Sequence, residues 1–273
     1  MKKLICVILI LLTLLFNYSI SYANYNPNPL GLEQEMYDDI IKSEYSNSAF
    51  RLKLLGIVSS PYEKWPSHTD PITRRSAFEM AFVVRNGGHR VLCTKDHVEY
   101  FDDYMEQGGE PVFADIEAGT YDYYLTCALF WESYLMNGKI DENGQRVANL
   151  DEYITYKEAL TILSRLMIVE WRTDDIIIEK LQNGGDEALY NLFYDVGLIN
   201  SNSMVSYSSI NLNFEDLNKE IPAREYMHLI HSFLYIPILH SSCYGNMDYG
   251  FRYIDHIKTW SDVTPEDGDV IIP

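Results

Sequence analysis

The stretch Ile154-Thr155-Tyr156-Lys157-Glu158-Ala159-Leu160-Thr161-Ile162-Leu163-Ser164-Arg165-Leu166 decides how this chain folds, because its pattern occurs three times. An isoleucine precedes a residue suited to cap a helix, and a helix-like run follows. Upstream, Ile72-Thr73-Arg74-Arg75-Ser76-Ala77-Phe78 keeps the same order: Thr73 is a good N-cap, and Phe78, Ala81, Phe82 and Arg85 recur at helical spacing. Asn86-Gly87-Gly88 then stops that helix. Downstream, Ile221-Pro222-Ala223-Arg224-Glu225-Tyr226 is the third copy, with Pro222 where the first helical residues should stand, a place proline tolerates.

Each capped helix has a partner upstream. Apolar positions from Glu33 to Ile57 suggest two helical segments broken near Ser46-Asn47-Ser48, and Tyr121 to Met136 and Ala188 to Val196 read as helices. Gly197-Leu198-Ile199-Asn200 ends the last of these. Turn-rich loops, over Ser59 to Pro71, over Asn137 to Asp151 and in a Ser- and Asn-rich stretch after Asn200, lead into the capped motifs. The unit is helix, glycine or turn, loop, isoleucine with cap, helix. Three copies at roughly even spacing form an internal repeat, and each pair leaves an apolar face that only a neighbouring copy can cover. The expected fold is mainly α, a pseudo-threefold assembly of three helix-loop-helix repeats.

These motifs resemble the S-layer homology domains of bacterial cell-surface proteins. Phe113-Ala114-Asp115-Ile116 is similar to that family's repeat-opening segment. Gly56-Ile57-Val58, Gly197-Leu198-Ile199-Asn200 and, without its first glycine, Leu135-Met136-Asn137-Gly138 are similar to its helix end. The Ile72, Ile154 and Ile221 segments resemble its capped motif, and Trp260-Ser261-Asp262-Val263 resembles another opening segment with no helix after it. The resemblance covers roughly residues 33 to 238. It implies a three-prong spindle, with repeats at 33–112, 113–180 and 181–238 and a C-terminal tail at 239–273. It also implies non-covalent attachment to a pyruvylated secondary polysaccharide of a Gram-positive-type wall.

Such a ligand is anionic, and a guanidinium fork suits its ketal carboxylate because two parallel charge-assisted bonds form at once. The family's motif arginine falls on Arg74, with Arg75 beside it; in the other two copies the same position is Tyr156, followed by Lys157, and Ala223, followed by Arg224. Arg74, Arg75, Lys157 and Arg224 are therefore the candidate ligand-binding residues. The repeated isoleucines read as packing residues and Thr73 and Thr155 as caps. Trp65, Trp131, Trp171 and Trp260 could stack on sugar rings, although packing is the commoner fate of such side chains.

The N-terminus supplies a destination. Lys2 and Lys3, an uncharged apolar run from Leu4 to Phe16 and Ser21-Tyr22-Ala23 have the order of a secretory signal peptide over 1–23, followed by an extended leader over 24–32. The run is shorter than the roughly 20 apolar residues that a spanning helix needs. This segment implies export, and the resemblance implies the wall or surface of a Gram-positive-type bacterium as the expected location. Formal charge is -19, about -21 once Lys2 and Lys3 are removed, which disfavours binding to nucleic acid or an anionic membrane surface. Cys93, Cys127 and Cys243 remain after cleavage; one disulfide with a free thiol and three reduced thiols are both open.

No catalytic signature stands out, and no cofactor is expected. Glu225, His228 and His231 fall three apart on one helix, but zinc would need further ligands, and His-Glu-x-x-His is absent. Asp141-x-Asn143-Gly144 has the opening of a calcium loop without its twelfth-position glutamate, and reads as a turn. The expected function is non-catalytic: a surface protein binding wall polysaccharide. The alternative is a degenerate scaffold for protein–protein assembly at the cell surface without a carbohydrate ligand. An extracellular hydrolase has only abundant carboxylates and aromatics in its favour.

Overall fold

A computed structural model describes residues 45–58, 69–167, 175–200, 209–241, 247–257, 265 and 267–272. The expected signal peptide and leader, Trp65, Trp171, Cys243 and the segment from Trp260 to Val263 lie outside them. The described chain is mainly helical, with seven α-helices and three two-stranded sheets. The helices are α1 (Ser46–Leu54), α2 (Arg74–Arg85), α3 (Lys95–Glu106), α4 (Tyr121–Cys127), α5 (Tyr156–Met167), α6 (Asp175–Asp195) and α7 (Ala223–Phe233). The strands are β1 (Val91–Cys93), β2 (Lys139–Ile140), β3 (Arg146–Val147), β4 (Ile238–Ser241), β5 (Met247–Phe251) and β6 (Val270–Ile271).

The three isoleucine motifs meet. A residue that caps a helix is extended, so the backbone just before each helix has amides and carbonyls that the helix cannot satisfy. Here they satisfy one another. Ile72 N–H donates to the Ile221 carbonyl (3.1 Å), Ile221 N–H to that of Ile154 (3.0 Å), and Ile154 N–H to that of Ile72 (3.1 Å). The cycle is closed, and all three isoleucine side chains are wholly buried beneath it. Two residues further on, Arg74 N–H donates to the Glu152 carbonyl (2.7 Å), Tyr156 N–H to that of Lys219 (3.0 Å) and Ala223 N–H to that of Asp70 (2.8 Å). From this junction α2, α5 and α7 start, with α2 and α7 both packed on α5; α1 covers α7, and α6 covers α5. Their apolar sides, including Phe82, Leu160, Leu163, Leu229 and Phe233, form the core, and the buried Tyr226 hydroxyl donates to the Ala77 carbonyl (2.8 Å).

The caps act as the sequence suggests at two of the three starts. Thr73 Oγ1 accepts from Ser76 N–H (3.3 Å), and Thr155 Oγ1 accepts from Glu158 N–H (3.2 Å). Pro222 stands one position earlier than expected. It is the extended N-cap residue itself, because it bridges Pro71 across the junction. The Phe-x-Asp segment has a mechanical use: Phe113 is buried, and the two Asp115 carboxylate oxygens accept from Ala148 N–H and Asn149 N–H (both 2.8 Å), fixing the loop that leads into Ile154.

Several boundaries differ from expectation. α1 begins at Ser46, inside the Ser46-Asn47-Ser48 stretch where the break is expected, and the upstream helical segment lies outside the described residues. Residues 95–106 form α3, which the sequence reading passed over. The helix expected over Tyr121 to Met136 ends at Cys127, runs on as one π-helical turn over Ala128–Glu132 and stops, with Ser133 Oγ donating to the Ala128 and Leu129 carbonyls (3.1 and 3.3 Å). The loop after Asn137 holds the β2–β3 hairpin. The C-terminal residues pack on the rest: β6 pairs antiparallel with β1, buried Arg90 donates to the Ile272 and Gly56 carbonyls (3.0 and 3.3 Å), and the Tyr253 hydroxyl to that of Leu166 (2.8 Å).

Helix ends here share one device, with one exception of residue type. Gly56 (φ 71°) and Gly197 (φ 80°) turn the chain through the left-handed region, so that Ile57 N–H reaches the Leu52 carbonyl and Leu198 N–H that of Phe193 (both 3.0 Å). At the end of the π-helical turn the exposed Tyr134 takes this conformation (φ 55°), where a side chain costs about 1–2 kcal/mol. Tyr134→Gly is therefore expected to raise the melting temperature by about 2–4 °C despite glycine's greater freedom in the unfolded chain. Calorimetry checks it, and a lower melting temperature would assign Tyr134 a packing role that outweighs its strain.

Candidate binding site

Arg74 is the first residue of α2, and the adjoining start of α5 covers its side chain, leaving the residue 6% exposed. Its Nη2 donates to Glu158 Oε1 at 2.5 Å, and its Nε is buried with no hydrogen-bond partner among the described residues. Glu158 belongs to a reciprocal cap: its Oε2 accepts from Thr155 N–H (3.0 Å) while its own N–H donates to Thr155 Oγ1. Lys139 Nζ, on β2, lies 3.1 Å from Glu158 Oε1 and 3.2 Å from Glu152 Oε2. Burial alone would push the Glu158 carboxyl up; Arg74, the Thr155 amide and Lys139 outweigh it and hold the carboxyl below its ordinary range. One turn beyond Ile162 on α5, Arg165 donates to the Leu135 carbonyl (2.5 Å), and burial, with Arg74 as second cause, lowers its pKa. Arg74, Lys139 and Arg165 thus gather around Glu158, with Glu152 as a second carboxylate on Lys139.

The other candidates occupy related places. Arg75 donates through Nη1 to Asp122 Oδ1 and through Nη2 to Asp122 Oδ2 (2.9 Å) and to Asp151 (3.1 Å), tying α2 to the start of α4. Lys157 pairs with Asp186 of α6 at 2.7 Å. Arg224 lies over the Tyr45 ring, 6.0 Å from its centroid, with its Nε buried and without a hydrogen-bond partner among the described residues. The motif position of Arg74 is repeated by Tyr156, whose hydroxyl donates to Glu225 Oε2 (2.5 Å), as Arg74 does to Glu158. These four cations stand at separate helix junctions and do not converge on one groove. A guanidinium fork that accepts a ligand carboxylate must first release its internal one.

The remaining motifs resolve into structural contacts. His228 and His231 face α1, where Ser48 Oγ lies 2.7 Å from His228 Nδ1 and 3.2 Å from His231 Nδ1. Among the described residues no group of three or more His, Cys, Asp or Glu side chains is arranged to hold a metal ion. Asp141 Oδ1 accepts from Asn143 N–H (2.9 Å) and Gln145 N–H (2.7 Å), which makes the Asp-x-Asn-Gly segment the turn of the β2–β3 hairpin. Cys93 and Cys127 are buried free thiols. No helix among the described residues is long and apolar enough to cross a membrane.

Sequence reasoning missed Glu158 as the partner of Arg74, although Thr155-x-x-Glu158 carries the capping signature that places this carboxylate at the junction. It also missed a pocket of about 390 Å³ between α3 and the π-helical turn, lined by His97, Tyr100, Phe101, Tyr104 and Trp131. Of its residues only Trp131 had been singled out. No family model matches this chain, and neither a curated protein nor a solved structure shows significant similarity to it.

Proposed function

We propose that the chain is an exported, non-catalytic surface protein whose helical module, a pseudo-threefold spindle of S-layer-homology-like repeats, serves protein–protein assembly at the cell surface and not polysaccharide anchoring. One observation carries the choice: Arg74, Arg75 and Lys157 are each neutralised by carboxylates of the same chain, so an anionic sugar would have to displace an intramolecular partner in each case. The closed cycle of hydrogen bonds joining Ile72, Ile154 and Ile221 supports the threefold reading, since equivalent residues of three repeats would make equivalent bonds. The basic and apolar N-terminal residues support export.

Polysaccharide binding is the second reading, and Arg224 favours it. Its guanidinium makes no ion pair among the described residues, and a ketal carboxylate could pair with it beside the Tyr45 ring. Co-sedimentation with purified wall sacculi, before and after extraction of their polysaccharide, separates the two. The scaffold reading expects the chain in the supernatant both times. Pelleting that depends on the polysaccharide and is lost in Arg224→Ala would overturn it.

A further inference from the structure

We infer that the aromatic pocket between α3 and the π-helical turn is a docking site for an arginine side chain presented by a basic peptide segment of a partner protein. The walls come from two elements. On α3, His97, Tyr100, Phe101 and Tyr104 follow one another at helical spacing and form a single stripe. The π-helical turn adds Trp131 opposite them.

Phe101 is buried and forms the floor, its carbonyl accepting from the Tyr123 hydroxyl (3.1 Å). Tyr100 and Trp131 remain 67% and 55% exposed, although each has an aromatic neighbour edge-on, Phe101 at 5.6 Å and Phe130 at 4.9 Å. Tyr104 lies against Gly109, where an added Cβ would come 2.3 Å from the ring, so the backbone leaves room for that ring. Large aromatic rings held in place with their surfaces in water are costly unless something covers them.

Charge decides what covers them. Asp96 and Asp103 lie four residues before and three after Tyr100, beside it on the helix surface, and both are exposed. The other acidic residues of the helix's middle are occupied: Glu99 is 3.9 Å from Lys95 Nζ, and Asp102 accepts from the Tyr124 hydroxyl (2.9 Å). Neither Asp96 nor Asp103 has such a partner among the described residues. Aromatic faces bordered by uncompensated carboxylates attract a cation, and an arginine suits both features at once. Its flat guanidinium stacks on Tyr and Trp rings while its edge donates to carboxylates. A pocket of about 390 Å³ admits that side chain and part of the backbone bearing it. Sugar stacking uses the same rings but gives the carboxylates no counter-charge.

The inference rests on the scaffold reading only in taking the partner to be a protein. Its test is calorimetric titration of the full chain with a capped Gly-Gly-Arg-Gly-Arg-Gly-Gly peptide and with the same peptide carrying citrulline. Binding of the arginine peptide alone is expected, weakening as salt rises. Tyr100→Ala or Trp131→Leu should weaken it about tenfold, and Asp96→Asn with Asp103→Asn about fivefold, while far-ultraviolet circular dichroism stays unchanged. Equal binding of the citrulline peptide overturns the cationic occupant, as does heat from neutral oligosaccharides but not from the arginine peptide. Undiminished binding to Trp131→Leu reduces the effect to the protein's general negative charge and overturns the site. A silent titration sinks the docking site while leaving the scaffold reading to the sedimentation experiment.

Discussion

Glu158→Gln should destabilise the protein by about 3–5 kcal/mol, and Arg74→Met introduced into the same chain should restore most of that loss. The amide retains the hydrogen bond to Thr155 N–H and the size of the side chain, so the cap survives. The negative charge is what disappears. It faces the Arg74 guanidinium, which is already short of one hydrogen-bond partner, with Arg165 and Lys139 nearby. An uncompensated guanidinium in so little water is costlier than the pair it came from, whereas methionine fills the same volume without a charge. Urea unfolding of the two single variants and the double variant forms a double-mutant cycle. If Glu158→Gln costs less than about 1 kcal/mol, the ion pair is not what holds the α2–α5 junction.

Acidification should weaken the fold through His231. Burial, then the charge of Arg51 and then His228 lower its pKa from the ordinary 6.5 to about 4. Ser48 and the Tyr235 ring face it, and its Nε2 is buried with no hydrogen-bond partner among the described residues. Above pH 6.5 the ring is neutral in both folded and unfolded chains, and this group contributes no pH dependence. Between about 6.5 and 4 the unfolded chain takes up a proton that the native chain refuses, so stability falls as pH falls. Below 4 both forms are protonated and the loss levels off, at about 3 kcal/mol from this residue. His231→Phe keeps a ring against Tyr235 and cannot titrate. The stability difference between pH 7.5 and 4.5 should shrink by most of that amount in the variant. An unchanged difference would assign the acid sensitivity to other groups, of which so acidic a chain has many.

The helix-forming logic was legible because it is local. Isoleucine, cap and helical spacing specify three helix starts, and the structure has α2, α5 and α7 there. The Asn86-Gly87-Gly88 and Gly197 stops are local too, since only glycine turns left-handed at little cost. What could not be read was decided at a distance. Tyr134 occupies a glycine's conformation, so no glycine announced that helix end. The acidic partners of Arg75 and Lys157, Asp122 and Asp186, come from other segments, and nothing in a basic motif tells which carboxylate will reach it. The strand pairing of β1 with β6 joins Val91 to Ile271, far apart in sequence. Helix α3 was overlooked although its aromatic stripe recurs at helical spacing, because it stands outside the repeated isoleucine-and-cap unit.

The isoleucine junction also bears on time. The Tyr226 hydroxyl and the Ala77 carbonyl are 149 residues apart in sequence, and Ile72 and Ile221 meet over the same distance. Contacts of such long range carry a loop-closure cost before they return any stabilisation, and domains dominated by them fold slowly. A chain emerging N-terminus first therefore cannot complete this centre until residue 221 is free. Until then the Ile72 amide lacks its acceptor, and α7, on which α1 packs, has not formed. Under the export proposed above, a core that closes only after residue 221 would leave the chain open during passage through a translocation channel.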